Sequence, residues 1–172
     1  REFLIRNNLL LNDNLTAAED AEFMLRTAFY ADRVSFVAKS LYNYLHNTVS
    51  AVRSFRTDYV ERYRKSLSVM YDFLVDNGLS KHLVTYDNCV LYHLLLIVVN
   101  YSFNPARKDT KKEQIAAFKK LVKDPFFANA MKSLRLKDFS MTRKITLICI
   151  KLKMYRMVRL IALFRQKQTG KA

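Results

Sequence analysis

Glycine is almost missing from this chain, occurring only at Gly78 and Gly170. Loops that cradle phosphate need several glycines, so that the backbone can approach the anion closely and adopt positive φ. Neither a P-loop nor a dinucleotide-binding fingerprint can be built here. Tryptophan is absent, and Cys89 and Cys149 stand alone with no Cys-x-x-Cys pair. That excludes a disulfide framework and a cysteine-based metal site, and both thiols read as reduced, buried side chains of an intracellular protein. The longest uninterrupted apolar run, Val90 to Val99 with His93 inside it, is well short of the roughly 18 residues of a membrane-spanning helix. No span is expected.

What is present is apolar bulk and positive charge. Of 172 residues, 51% are hydrophobic and 13% aromatic, enough for a real core. The net charge of +15 is uneven: residues 111–172 hold 17 Lys/Arg against 3 Asp/Glu, while residues 1–110 are close to balanced with 13 against 12. A field of one sign over one region attracts polyanions.

Along the chain, residues 2–8 read as a helix end and Leu9-Leu10-Leu11 as a brief extended piece before the polar loop Asn12-Asp13-Asn14. Thr16 with Glu19 three residues later is a capping-box pattern, opening a helix that carries Phe23, Leu25, Ala28 and Phe29 to about Ala31. Val34-Ser35-Phe36-Val37 and Leu41-Tyr42-Asn43-Tyr44-Leu45 alternate, which predicts a strand pair. From about Thr57 the pattern is helical. One stripe (Val60, Tyr63, Leu67, Met70, Tyr71, Leu74) ends at Asn77-Gly78, and a highly apolar, central helix runs from about Ser80 to Phe103. Further helices are predicted over about Thr110–Lys123, from Asp124-Pro125, and over about Met141–Gln166. In the last of these, Lys153, Arg156 and Arg159 project to one side, opposite Ile150, Met154, Met157, Val158, Ile161 and Phe164. Such a cationic face suits a solvated terminal helix, an anionic membrane surface or, less well, nucleic acid.

The acidic pair Glu19-Asp20 has both a structural and a chemical use. Carboxylates in a first helical turn are favoured by the helix dipole, by about 0.3 to 1 kcal/mol each. The ordered set Arg1-Glu2-Phe3-Leu4, Glu19-Asp20-x-x-Phe23, a strand, Leu41-Tyr42-x-Tyr44 and Ser50 resembles the final part of the catalytic domain of bacterial family 2 glycosyltransferases. The resemblance covers about residues 1–55. It implies a mainly α chain: a short α/β remnant of a GT-A catalytic domain over residues 1–53, then a helical extension over 54–172 whose basic C-terminal helix is amphipathic. Because the chain opens on Arg1, inside an element and without an initiator Met, the nucleotide-binding half is expected upstream.

In that family the Asp of the pair is the usual general base, here Asp20, with Glu19 orienting the acceptor or capping the helix. Tyr42 and Tyr44 point the same way on the expected strand, for core packing or for a sugar or nucleotide contact, and His46 could meet the donor diphosphate or its metal if the strand ends at the active-site rim. The resemblance implies an inverting, nucleotide-sugar-dependent transfer to a glycan or lipid-linked acceptor in surface polysaccharide synthesis, on the cytoplasmic side of the membrane. A divalent cation, Mg or Mn, would be held mostly by residues upstream. Two features depart from the pattern: Ala18 replaces the usual Gly before the acidic pair, and the Asp-x-Asp metal motif is missing. The rival reading is a non-enzymatic helical module that binds anionic membrane or nucleic acid through its basic C-terminus.

Overall fold

In the computed structural model, residues 1–43 and 55–168 are described. They contain helices and turns, and no β-strand. The chain divides into two units, residues 1–54 with 61–78, and residues 55–60 with 79–172.

The first unit holds α1 (Glu2–Arg6), α2 (Glu19–Tyr30) and, from Glu61 onward, α3 (Tyr59–Asp76). The apolar stripe of α3 places Tyr63, Leu67, Met70 and Leu74 in the interior, with Leu9 and Leu15 also buried. Polar groups of α3 fix the loop ahead of α2. Arg62 donates from Nε to Thr16 Oγ1 at 2.7 Å, Lys65 Nζ donates to the Asn14 carbonyl at 2.9 Å, and the buried Ser66 hydroxyl donates to the Ala17 carbonyl.

The expected capping box does not form. Thr16 is taken by Arg62, and α2 starts instead behind Ala18, whose φ of +54° lies in the left-handed region and which caps nothing with its side chain. At Thr110 the same Thr-x-x-Glu pattern does form a capping box. The Thr110 hydroxyl accepts from the Glu113 N–H at 3.3 Å, and the Glu113 carboxylate accepts from the Thr110 N–H at 2.8 Å.

The expected strand pair is absent from the described residues. Residues 33–38 and 41–43 are irregular, with Val34, Phe36, Leu41 and Tyr42 all exposed. Alternation marks what a strand can bury, but a strand also needs a neighbour to take its N–H and C=O groups. The one backbone bond recorded there is local, from the Lys39 N–H to the Val37 carbonyl at 2.9 Å. The expectation of an α/β GT-A remnant is therefore overturned: the described chain is all α.

In the second unit, α4 (Leu83–Ile97) is the central element, preceded by a 3-10 turn at Ser80–His82 and continued by a π-turn at Val98–Ser102. Val90, Leu91, Leu94, Ile97 and Val98 are almost completely buried. Around it pack α5 (Lys111–Lys123), α6 (Pro125–Lys132), α7 (Met141–Lys151) and α8 (Tyr155–Gln168), with α6 against α4 and α8 against the π-turn. A π-turn leaves carbonyls without their usual helical partners. Gln166, buried on the inner face of α8 with Val158 and Ala162, donates to the carbonyls of Val99 and Phe103. Aromatic edges close the core, Phe103 on Phe118 at 5.1 Å and Phe118 on Tyr155 at 5.8 Å between centroids.

One predicted helix is two. α7 stops in a Schellman arrangement, in which the Met154 N–H donates to the Cys149 carbonyl at 2.8 Å and the Lys153 N–H to the Ile150 carbonyl at 3.0 Å. Lys153 occupies the left-handed position, φ +59°, that glycine usually fills.

Candidate anionic-surface interface

The break at Lys153 resets which side chains α7 and α8 present to solvent. At about 100° per residue, Met141, Ile145 and Ile148 of α7 and its C-cap residue Leu152 fall within a roughly 60° arc. They are 69%, 50%, 38% and 63% exposed. The opposite face of α7 carries the buried Thr146, Leu147, Cys149 and Ile150. α7 is thus apolar on both faces, one turned to the core and one to water. Lys144 and Lys151 border the outer stripe along one side. Arg143 does not join them, because its guanidinium lies over the Tyr92 ring at 4.7 Å.

α8 repeats the arrangement. Met157, Leu160 and Phe164 share an exposed arc, with Arg156 and Lys167 beside them. Met157 and Phe164 are therefore not the core residues that an unbroken helix predicts. Across residues 139–172 there are nine Lys/Arg and no Asp or Glu. Crowding of this charge is felt at Arg165, held below its ordinary pKa by burial first and by the like charge of Arg143 second.

The three cations expected to form one face are dispersed. Lys153 sits in the interhelical turn, Arg156 is exposed, and Arg159 is half-buried with its Nε donating to Gln114 Oε1 at 3.2 Å. Arg156 and Arg159 meet Lys111 and Lys112 of α5 around a groove of about 540 Å³, which Ile115 and Leu160 also line. This gathering of cations could have been read only in part from sequence. The Lys111-Lys112 pair is visible, but its approach to α8 is a tertiary fact.

Of the residues expected to carry transfer chemistry, the described ones, Glu19, Asp20 and Tyr42, share no hydrogen bond or ion pair with one another. Asp20 is exposed on the first turn of α2, and its Oδ1 accepts only from the neighbouring Ala21 N–H at 2.8 Å. Glu19 is half-buried at the start of the same helix. The acid that α2 buries is Glu22, held by Arg26 through bonds of 2.6 and 2.9 Å. That pairing raises the Arg26 pKa, the hydrogen bond to Glu22 outweighing the opposing effect of burial. Tyr42 is exposed, and Tyr44 and His46 lie outside the described residues. No group of three or more His, Cys, Asp or Glu that could hold a metal ion occurs among the described residues.

A Cys–His contact on α4 is also structural. Cys89 and His93 lie one turn apart on α4, Sγ to Nδ1 at 3.6 Å, but Nδ1 is also 2.8 Å from the Cys89 carbonyl. Burial pushes the Cys89 thiol up to about 11, so it is not an activated nucleophile.

The chain matches no protein-family model, and comparison with curated proteins and with solved structures gives no match. With no strand and no metal-ligand cluster among the described residues, the resemblance to family 2 glycosyltransferases is not upheld. The reading of the chain as a transferase fragment acting in polysaccharide synthesis falls with it. The segment Ser80–Ser102 is long and apolar enough, by length and composition, to cross a membrane, although no span was expected.

Proposed function

We propose that this chain is a non-enzymatic helical module that docks on anionic membrane surfaces through α7 and α8. The observation that carries this reading is the outward stripe of Met141, Ile145, Ile148 and Leu152 beside Lys144 and Lys151, in a stretch with no acidic residue. Apolar side chains enter the interface between headgroups and acyl chains, while flanking lysines extend to the phosphates. Charge complementarity favours an anionic leaflet, each Lys or Arg near it contributing about 1 kcal/mol. Nucleic acid would use the same cations but leave the apolar stripe in water. The apolar segment Ser80–Ser102 supports membrane association more weakly, because its most hydrophobic side chains are spent in the core.

The test is flotation with vesicles of phosphatidylcholine alone and with a third of phosphatidylglycerol. Binding is expected only to the anionic vesicles and to fall as salt screens the charges. Replacing Lys144, Lys151 and Lys153 together by Glu should lower the partition coefficient by roughly 100-fold or more. Equal flotation of the triple variant, or tighter binding to duplex DNA than to anionic vesicles, overturns the reading.

A further inference from the structure

The groove between α5 and α8 is lined by four cations, Lys111, Lys112, Arg156 and Arg159, and two apolar side chains, Ile115 and Leu160. Only Arg159 has a recorded partner, Gln114, which is neutral; Lys111, Lys112 and Arg156 have no carboxylate or hydrogen-bond partner among the described residues. The nearest acids in sequence are engaged elsewhere. Glu113 closes the capping box with Thr110, which lowers its pKa chiefly through the Thr110 backbone N–H, and Asp109 binds Arg107. Four like charges around one concavity repel each other, and a multivalent anion relieves that repulsion.

We infer that this groove holds the phosphomonoester headgroup of a single lipid, of the kind phosphatidic acid presents. This rests on the docking reading for the way the lipid is presented. The Arg156 fork can grip phosphate oxygens in pairs, Arg159 keeps its terminal N–H groups while its Nε is held by Gln114, and two lysines add point charges. A monoester, whose second proton leaves near neutral pH, delivers close to two charges where a diester delivers one. The volume of about 540 Å³ falls within the range of small-molecule sites and exceeds what a bare phosphate fills, leaving room for a glycerol stem against Ile115 and Leu160.

Calorimetry with dihexanoyl phosphatidic acid, below its micelle concentration, tests this without vesicles. One lipid is expected to bind per chain, at least ten-fold more tightly than inorganic phosphate, with no heat from dihexanoyl phosphatidylcholine. Lys112→Gln with Arg156→Gln should weaken binding at least ten-fold at an unchanged melting temperature, and Lys112→Arg should retain it. Absence of binding, equal binding of phosphatidylcholine, or an unaffected double variant sinks the inference. Inorganic phosphate binding as tightly as the lipid also sinks it, showing a site for free phosphate. Flotation on phosphatidylglycerol vesicles reports on docking separately, since the cations replaced in that test, Lys144, Lys151 and Lys153, do not line the groove. Flotation without short-chain lipid binding removes only the groove, and short-chain binding without flotation removes only the docking.

Discussion

Replacing Ile145 and Leu152 by serine separates an outward-facing docking stripe from a buried one. Their exposures of 50% and 63% together amount to about one fully exposed large apolar side chain. Burying one such side chain contributes about 1.5–3 kcal/mol. If both enter the lipid interface, the double substitution should therefore weaken partitioning by roughly 10- to 150-fold. Folding stability should change far less, because surface substitutions are usually within about 0.5 kcal/mol. The absence of tryptophan makes the assay clean. A single Met141→Trp reporter gives fluorescence with no background, and a blue shift on adding anionic vesicles reads binding directly. A partition coefficient within three-fold of the parent, at matched stability, would refute the reasoning. So would a stability loss as large as the binding loss, which would mean that the stripe packs against protein.

Two further predictions concern the fold. Ala18→Gly should stabilise the chain by about 0.5–1 kcal/mol, because a left-handed alanine costs roughly 1–2 kcal/mol and glycine returns part of that as unfolded-state entropy; a urea midpoint that falls would contradict the strain. Cys89, half-buried with its thiol pushed up to about 11, should react with a disulfide reagent at pH 8 roughly 10-fold more slowly than a free thiol, the smaller thiolate fraction being partly offset by greater nucleophilicity, and labelling at the free-thiol rate would contradict the shift. The linked pH effect has a definite sign. The folded state keeps the proton that the unfolded state releases above about pH 9, so stability is lost as pH rises from 9 towards 11, by up to about 2 kcal/mol. Cys89→Ala should remove that part of the slope, and an identical slope in the variant would refute it.

Helices with a buried stripe were legible because the stripe is their cause. Tyr63, Leu67, Met70 and Leu74 fix the inner face of α3, and the continuous apolar surface of α4 dictates a central position. Capping was half legible, and the two Thr-x-x-Glu patterns show why. At Thr110 nothing competes for the hydroxyl, whereas at Thr16 a guanidinium 46 residues away in sequence takes it. A local motif states a preference, and a long-range charge-assisted hydrogen bond can outweigh it. The strand expectation failed on a similar point. Val34 to Val37 has the composition of a strand, but the partner that makes a strand stable is not a property of the segment.

The candidate interface was hidden by one residue. A stop between α7 and α8 is normally signalled by glycine or proline, and here Lys153 takes the left-handed position with neither nearby. Read as one helix, residues 141–166 place Met157 and Phe164 in the core and gather Lys153, Arg156 and Arg159 on a single solvated face. Read as two, they place an apolar stripe on the outside of each helix, with cations beside it. The difference is physical, since the first arrangement offers water a charged surface and the second offers it hydrocarbon as well. An exposed apolar band edged by lysines, in a stretch without a single carboxylate, is costly in water and favourable at an anionic interface. That asymmetry, rather than the net charge, distinguishes a membrane-docking surface from one that merely repels other cations.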